Sequence, residues 1–194
     1  MIKAIIFDFF GVLVTEGFKR FCDKYFTDDK AKRRQAIDLV TAHDWGKVSK
    51  DEYVSGLAEL AGVSREIVLD HMQDNQPNDA LLDYIRRELK PRYKLGVLSN
   101  SGDDYLSRIL SPEDAELFDD VVLSYQFGLV KPYPEIFELA AKRLEVDPDE
   151  CIFIDDSRTH CDGAGTVGMR PIFYKDFAGF KNQLEPLLAA GPDN

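Results

Sequence analysis

The chain has 194 residues, 44% hydrophobic and 30% charged, and its 35 acidic against 24 basic side chains leave a formal net charge of -11. That length buries a sizeable core without staples, and the acidic balance excludes non-specific binding to nucleic acid or to an anionic membrane surface, both of which need a basic face. Cys22, Cys151 and Cys161 are an odd set without a CxxC pair, which excludes a disulfide framework or a zinc knuckle and points to a reducing, cytoplasmic home.

The first predicted element is a short apolar run, residues 4–7, too brief for a signal peptide or a membrane span. Residues 17–40 then read as one or two helices with Phe18, Phe21, Phe26, Ile37 and Val40 as the apolar positions. Ser49-Lys50-Asp51-Glu52 is a capping box, so a helix starts there, carries Tyr53, Leu57 and Leu60 inward and stops at Gly62. Ser64 opens another helix with Ile67, Val68 and His71.

From residue 95 onward the pattern changes to short runs rich in β-branched residues, at 95–98, 121–123, 151–154 and 171–174. Their hydrophobicity is continuous rather than alternating, as expected of parallel strands covered on both faces. A helix at 134–144, with Pro134 at its first position and Ile136, Leu139, Ala140 and Leu144 on one stripe, separates two of them. The expected fold class is therefore α/β, a three-layer parallel sheet core formed by residues 1–14 and 77–194, with 15–76 as an inserted helical module. Gly191-Pro192-Asp193-Asn194 reads as a frayed tail.

Three of these strands end in polar residues: Asp8, Ser99-Asn100 and Asp155-Asp156. In a parallel sheet such ends share one edge, where ligands bind. Three carboxylates gathered there would repel one another unless a cation sat between them, and hard oxygen ligands suit Mg²⁺. Lys131 follows the third strand by a short loop and offers a second positive charge; Ser99 and Asn100 offer donors to phosphate oxygens.

These residues carry a resemblance. Phe7-Asp8-Phe9-Phe10-Gly11-Val12-Leu13, Val97-Leu98-Ser99-Asn100, Lys131-Pro132 and Ile154-Asp155-Asp156 with Asp162-Gly163-Ala164 and Gly168 resemble, in order and spacing, the four motifs of the haloacid dehalogenase superfamily of hydrolases. The resemblance implies a Rossmann-like core and a helical cap between the first two motifs. It further implies a nucleophilic aspartate at Asp8 and a small phosphorylated substrate whose phosphoryl group is held by Ser99, Asn100 and Lys131. Mg²⁺ would be held by Asp8, the main-chain carbonyl of Phe10, Asp156 and, directly or through water, Asp155. The expected assembly is a monomer or weak homodimer.

One departure bears on mechanism. Most phosphatases of that family place a second aspartate two residues after the nucleophile as general acid and base, a device worth about a hundredfold to ten-thousandfold in rate. Here that residue is Phe10. The 2-haloacid dehalogenases, whose leaving group needs no proton, are similar at this motif but generally lack the adjacent carboxylate pair; a phosphatase is the preferred reading, and a dehalogenase or a metal-binding pseudoenzyme with little turnover are the alternatives. His160 could replace the missing proton donor but is expected as a solvent-facing loop residue, Trp45 could contact substrate but is expected to pack within the helical module, and Asp162 is expected to stabilise the fourth motif's loop or a helix N-terminus. His43 is a further candidate for contact with substrate.

Overall fold

The structure is a computed structural model that describes residues 1–189; the Gly191-Pro192-Asp193-Asn194 tail lies outside them. Five strands, β1 (Ala4–Phe7), β2 (Lys94–Ser99), β3 (Asp120–Leu123), β4 (Cys151–Asp155) and β5 (Arg170–Phe173), form one parallel sheet in the order β3-β2-β1-β4-β5. Every residue of β1 is buried, as its unbroken apolar sequence requires of a central strand. Phe7 pairs with Val97 on one side and Ile154 on the other, so the residues that follow come out together at one edge.

Alternation along the strands feeds two apolar layers. Ile5, Phe7, Val97 and Ile154 pack with Leu81 and Leu82 of α5 (Asp79–Tyr84), with Ile85 and Leu89 of the π-helical turn that continues it (Ile85–Leu89), and with Phe180 and Leu184 of α11 (Phe177–Ala189). On the other face Ala4, Ile6, Leu98 and Phe153 meet Ile136, Phe137 and Ala140 of α9 (Pro134–Arg143). A sheet covered on both sides in this way is a three-layer α/β fold. Burying each large apolar side chain contributes about 1.5–3 kcal/mol, so these layers hold the edge residues in fixed positions.

Between β1 and β2 the chain makes α1 (Gly17–Tyr25), α2 (Lys30–Asp44), α3 (Lys50–Ala61) and α4 (Arg65–Gln73), which enclose their own cluster of Phe21, Phe26, Tyr53, Val54, Leu57 and Val68. The capping box at Ser49 and Glu52 is present, and Gly62 ends α3 in the left-handed conformation, φ 69°. The two crossings into and out of this unit run side by side: Thr15 N–H donates to the Gln76 carbonyl and Gln76 N–H to Thr15 Oγ1, both at 2.9 Å.

Two sequence expectations change here. Ile37 is 41% exposed, because α2 turns Ala36, Leu39, Val40 and His43 toward its neighbours and leaves Ile37 to one side. Trp45 does not pack within the helical unit; its ring meets Tyr133 of the loop after β3 at 5.9 Å. Among the described residues, no helix is long and apolar enough to cross a membrane.

Candidate active site

The carboxyl ends of β1, β2 and β4 open into a cavity of about 500 Å³ between the sheet edge and the helical unit. Asp8, Phe10, Asn100, Lys131 and Asp156 line it from the sheet side, its floor, and Glu16, His43, Asp44 and Asn75, all from residues 15–76, line it as a wall.

Lys131 is the centre of the floor. Its side chain is fully buried, and its ammonium lies 2.8 Å from Asp8 Oδ1 and 2.7 Å from Asp155 Oδ2 while donating to the Leu98 carbonyl at 3.0 Å. Asn100 clamps the same residue, accepting from Lys131 N–H at 2.8 Å and donating to its carbonyl at 3.1 Å. A buried ammonium flanked by two carboxylates keeps its proton: burial opposes the charge, but Asp155 and Asp8 outweigh it and raise the Lys131 pKa.

The carboxylates differ sharply. Burial works against ionisation of Asp155, yet Lys131 and His160 overcome it and hold its carboxyl well below the usual range. Ser157 N–H (2.7 Å) and His160 Nδ1 (3.1 Å) complete its contacts. Asp8 is pushed well above the usual range, chiefly by burial and then by the charge of Asp155. Its contacts with Lys131 and with Phe9 N–H (2.6 Å) both fall on Oδ1, leaving Oδ2 without a protein partner among the described residues. Asp156 is raised by burial and by Asp155. Its carboxylate lies against Gly11, where a Cβ would come within 2.4 Å of Oδ2; with φ +84°, that position takes only glycine without strain.

Not every residue stands where its motif suggested. Ser99 is fully enclosed, with its hydroxyl toward the Asn100 carbonyl at 3.4 Å, and the wall position falls to Ser101, anchored by Ser124 Oγ at 2.9 Å. His160 is no loop residue: it sits in the first turn of α10 (Arg158–Thr166) against Asp155. Asp162 is exposed within that helix, and the cap is made by Ser157. Phe10 packs its ring on Phe9 at 5.0 Å and Tyr105 at 5.7 Å.

Asp8, Asp155 and His160 bring ligand atoms within 4.8 Å of one another, but the Lys131 ammonium already occupies that cluster, and a second cation there would be repelled. The donor set that fits a hard cation lies on the open side, where Asp8 and Asp156, whose ionisation burial and the Asp155 charge disfavour, stand beside the Phe10–Gly11 backbone and would gain from a divalent cation.

The parallel sheet and the acidic, lysine-centred edge where its strands end are those of a hydrolase. The haloacid dehalogenase-like hydrolase family matches residues 2–168, and the chain belongs to it as a phosphatase-like member. D-ribitol-5-phosphate phosphatase of Bacteroides thetaiotaomicron is 28% identical, across 97% of this chain and 99% of its own. A putative phosphatase of Bacillus subtilis is 27% identical, across 88% and 82%. Among solved structures, a family member from B. thetaiotaomicron in complex with magnesium and inorganic phosphate superposes with a TM-score of 0.71 at 26% identity, covering 90% of this chain and 95% of that one. The L-2-haloacid dehalogenase of Xanthobacter autotrophicus shares the fold, with a TM-score of 0.64 at 20% identity, covering 88% of this chain and 76% of that one.

Proposed function

We propose that the protein is a Mg²⁺-dependent phosphatase of small hydroxylated phosphate esters, acting through an aspartyl-phosphate on Asp8. The observation that carries this reading is the division of the Asp8 carboxylate: Oδ1 is tied to Lys131 and Phe9 N–H, and Oδ2 is left to attack. Oδ2 would form a bond to phosphorus as the P–O ester bond breaks, the departing alkoxide taking its proton from solvent water because Phe10 has none to give. Water would then attack phosphorus and lose its proton to solvent, breaking the acyl phosphate bond, restoring the carboxylate and releasing inorganic phosphate.

Lys131 holds Asp8 in line and offsets charge on the transferred group, and Asp155 fixes Lys131. Asp8, the Phe10 carbonyl and Asp156 would hold the Mg²⁺, which supplies charge neutralisation for the phosphoryl oxygens. Residues 15–76 would act as a cap whose inner wall meets the rest of the substrate. The three buried free thiols fit a reducing compartment such as the cytoplasm. Monomer or weak homodimer remains the proposed assembly.

The cavity disfavours the dehalogenase alternative. Asp8, Glu16, Asp44 and Asp156 face it against Lys131, whose charge is already shared by two carboxylates. Among the described residues that line the cavity, the one lysine is already paired when the carboxylate of a 2-haloacid arrives, whereas a phosphate ester would enter with Mg²⁺.

A phosphate-release panel of polyol, sugar and aryl phosphates with and without EDTA, alongside 2-chloropropionate, tests the reading. Activity with magnesium, loss on chelation and a fall of about 10⁴-fold or more in Asp8→Asn are expected. Chloride release from 2-chloropropionate in EDTA, with phosphate esters left intact, would replace it; magnesium and phosphate binding without turnover would make the protein a pseudoenzyme.

A further inference from the structure

The cavity that holds Asp8 is also lined by a buried imidazole, one nitrogen of which has no partner among the described residues. His43, on the last turn of α2, is 3% exposed and stacks on Tyr53 at 4.7 Å with ring planes 10° apart. Its Nδ1 lies 2.9 Å from the Val48 carbonyl, which accepts only, so Nδ1 carries a proton, and in the neutral imidazole tautomer this selects, Nε2 presents a lone pair. That Nε2 is a buried side-chain polar atom without a hydrogen-bond partner among the described residues. Burying such an atom unpaired costs free energy, so a partner that arrives with the substrate gains correspondingly.

Its position is built, not incidental. The ring lies over the α-carbon of Gly102 so closely that a Cβ there would fall 2.5 Å from Nε2. Gly102 N–H in turn holds the Asp44 carboxylate, and Ser124 Oγ donates to the Asp44 carbonyl at 2.6 Å. The end of α2 is thereby pinned against the loop after β2 that carries Asn100 and Ser101, and His43, Asp44 and Glu16 share the cavity with them.

We infer that His43 Nε2 is the acceptor for a hydroxyl on the non-phosphorylated part of the substrate, and that this wall selects polyhydroxylated chains over carboxylated or bare alkyl ones. A hydroxyl has a proton to give to the lone pair; a carboxylate has none and also meets Asp44 and Glu16. An alkyl chain leaves Nε2 as it was. This assignment rests on the phosphate end being held near Asp8, as proposed above.

Three phosphate esters of equal chain length isolate the effect: a pentitol 5-phosphate, n-pentyl phosphate and a 5-phosphopentonate. Calorimetric titration in saturating magnesium should show the pentitol ester binding about tenfold or more tightly than either of the others. His43→Asn keeps a donor for the Val48 carbonyl but removes Nε2, and should bring the ratio toward one. His43→Gln places a carbonyl oxygen near the lost nitrogen and should restore part of it, a rescue that a purely structural role would not produce. A wild-type ratio near one, preference for the phosphopentonate, or an unchanged ratio in His43→Asn overturns the inference. If His43→Asn does not fold, the wild-type ratio and His43→Gln decide. Because binding is read directly, a protein that releases no phosphate yet keeps the ratio would refute the phosphatase reading and leave the hydroxyl acceptor standing.

Discussion

The floor and the wall of the cavity are both built from buried and half-buried polar groups, but they satisfy them in different ways. On the floor the contacts close on themselves: Lys131 is shared by Asp8 and Asp155, and Asp155 takes further bonds from Ser157 and His160. On the wall Glu16 and Asp44 are each pushed up to about 7, chiefly by burial, and His43 Nε2 has no partner among the described residues. Saturated networks fix geometry and suit groups that must strike a reacting atom at one angle. Groups anchored on one side and left unpaired on the other gain only when something hydroxylated or cationic enters, which suits recognition.

The sharpest way to break this division is to remove the cation that organises the floor. Lys131→Met leaves two buried carboxylates facing each other without their shared partner, and losing one member of a buried pair typically costs about 3–5 kcal/mol. Denaturant unfolding in EDTA should show a destabilisation of that size, with phosphate release falling to background. A variant as stable as the wild type would mean that the floor is not a closed network. A subtler alteration is Phe10→Asp, which supplies the missing proton donor on the same floor. Phosphate release from an ester with a poorly acidic leaving alcohol should rise, by up to about a hundredfold. No gain would show that the group at residue 10 does not face the leaving oxygen.

The two regions were not equally legible in the sequence. Continuous apolar runs mark the strands, and a polar residue directly after such a run marks a sheet edge, which is how Asp8, Asn100, Asp155 and Asp156 announce themselves. Asp155 and Asp156 looked alike, because their difference arises only when the strand turns one toward Lys131 and the other toward Gly11. Lys131 before a proline reads as a surface loop until three elements close over it. The wall is harder still: Glu16 precedes one helix, His43 and Asp44 end another, and no periodicity links them. Their meeting depends on α2 docking against Gly102, a tertiary event that also places Val40 at the cavity and leaves Ile37 outside.

The wall yields a smaller effect with a definite sign. Asp44 in the folded protein titrates at about 7 against an ordinary 3.8, because burial disfavours its charge more than Lys131 favours it. The unfolded chain therefore releases this proton first, and between the two values the native state binds more protons than the unfolded one. Stability must fall as pH rises through that window, with no contribution below about pH 4 and the full penalty above about pH 7. Asp44→Asn keeps an oxygen for Gly102 N–H but cannot ionise. Thermal unfolding in EDTA should show it more stable than the wild type at about pH 8, with the gain shrinking steadily toward pH 4. A gain that is the same at both ends of the range would locate the cause in packing, and the wall would then owe nothing to buried charge.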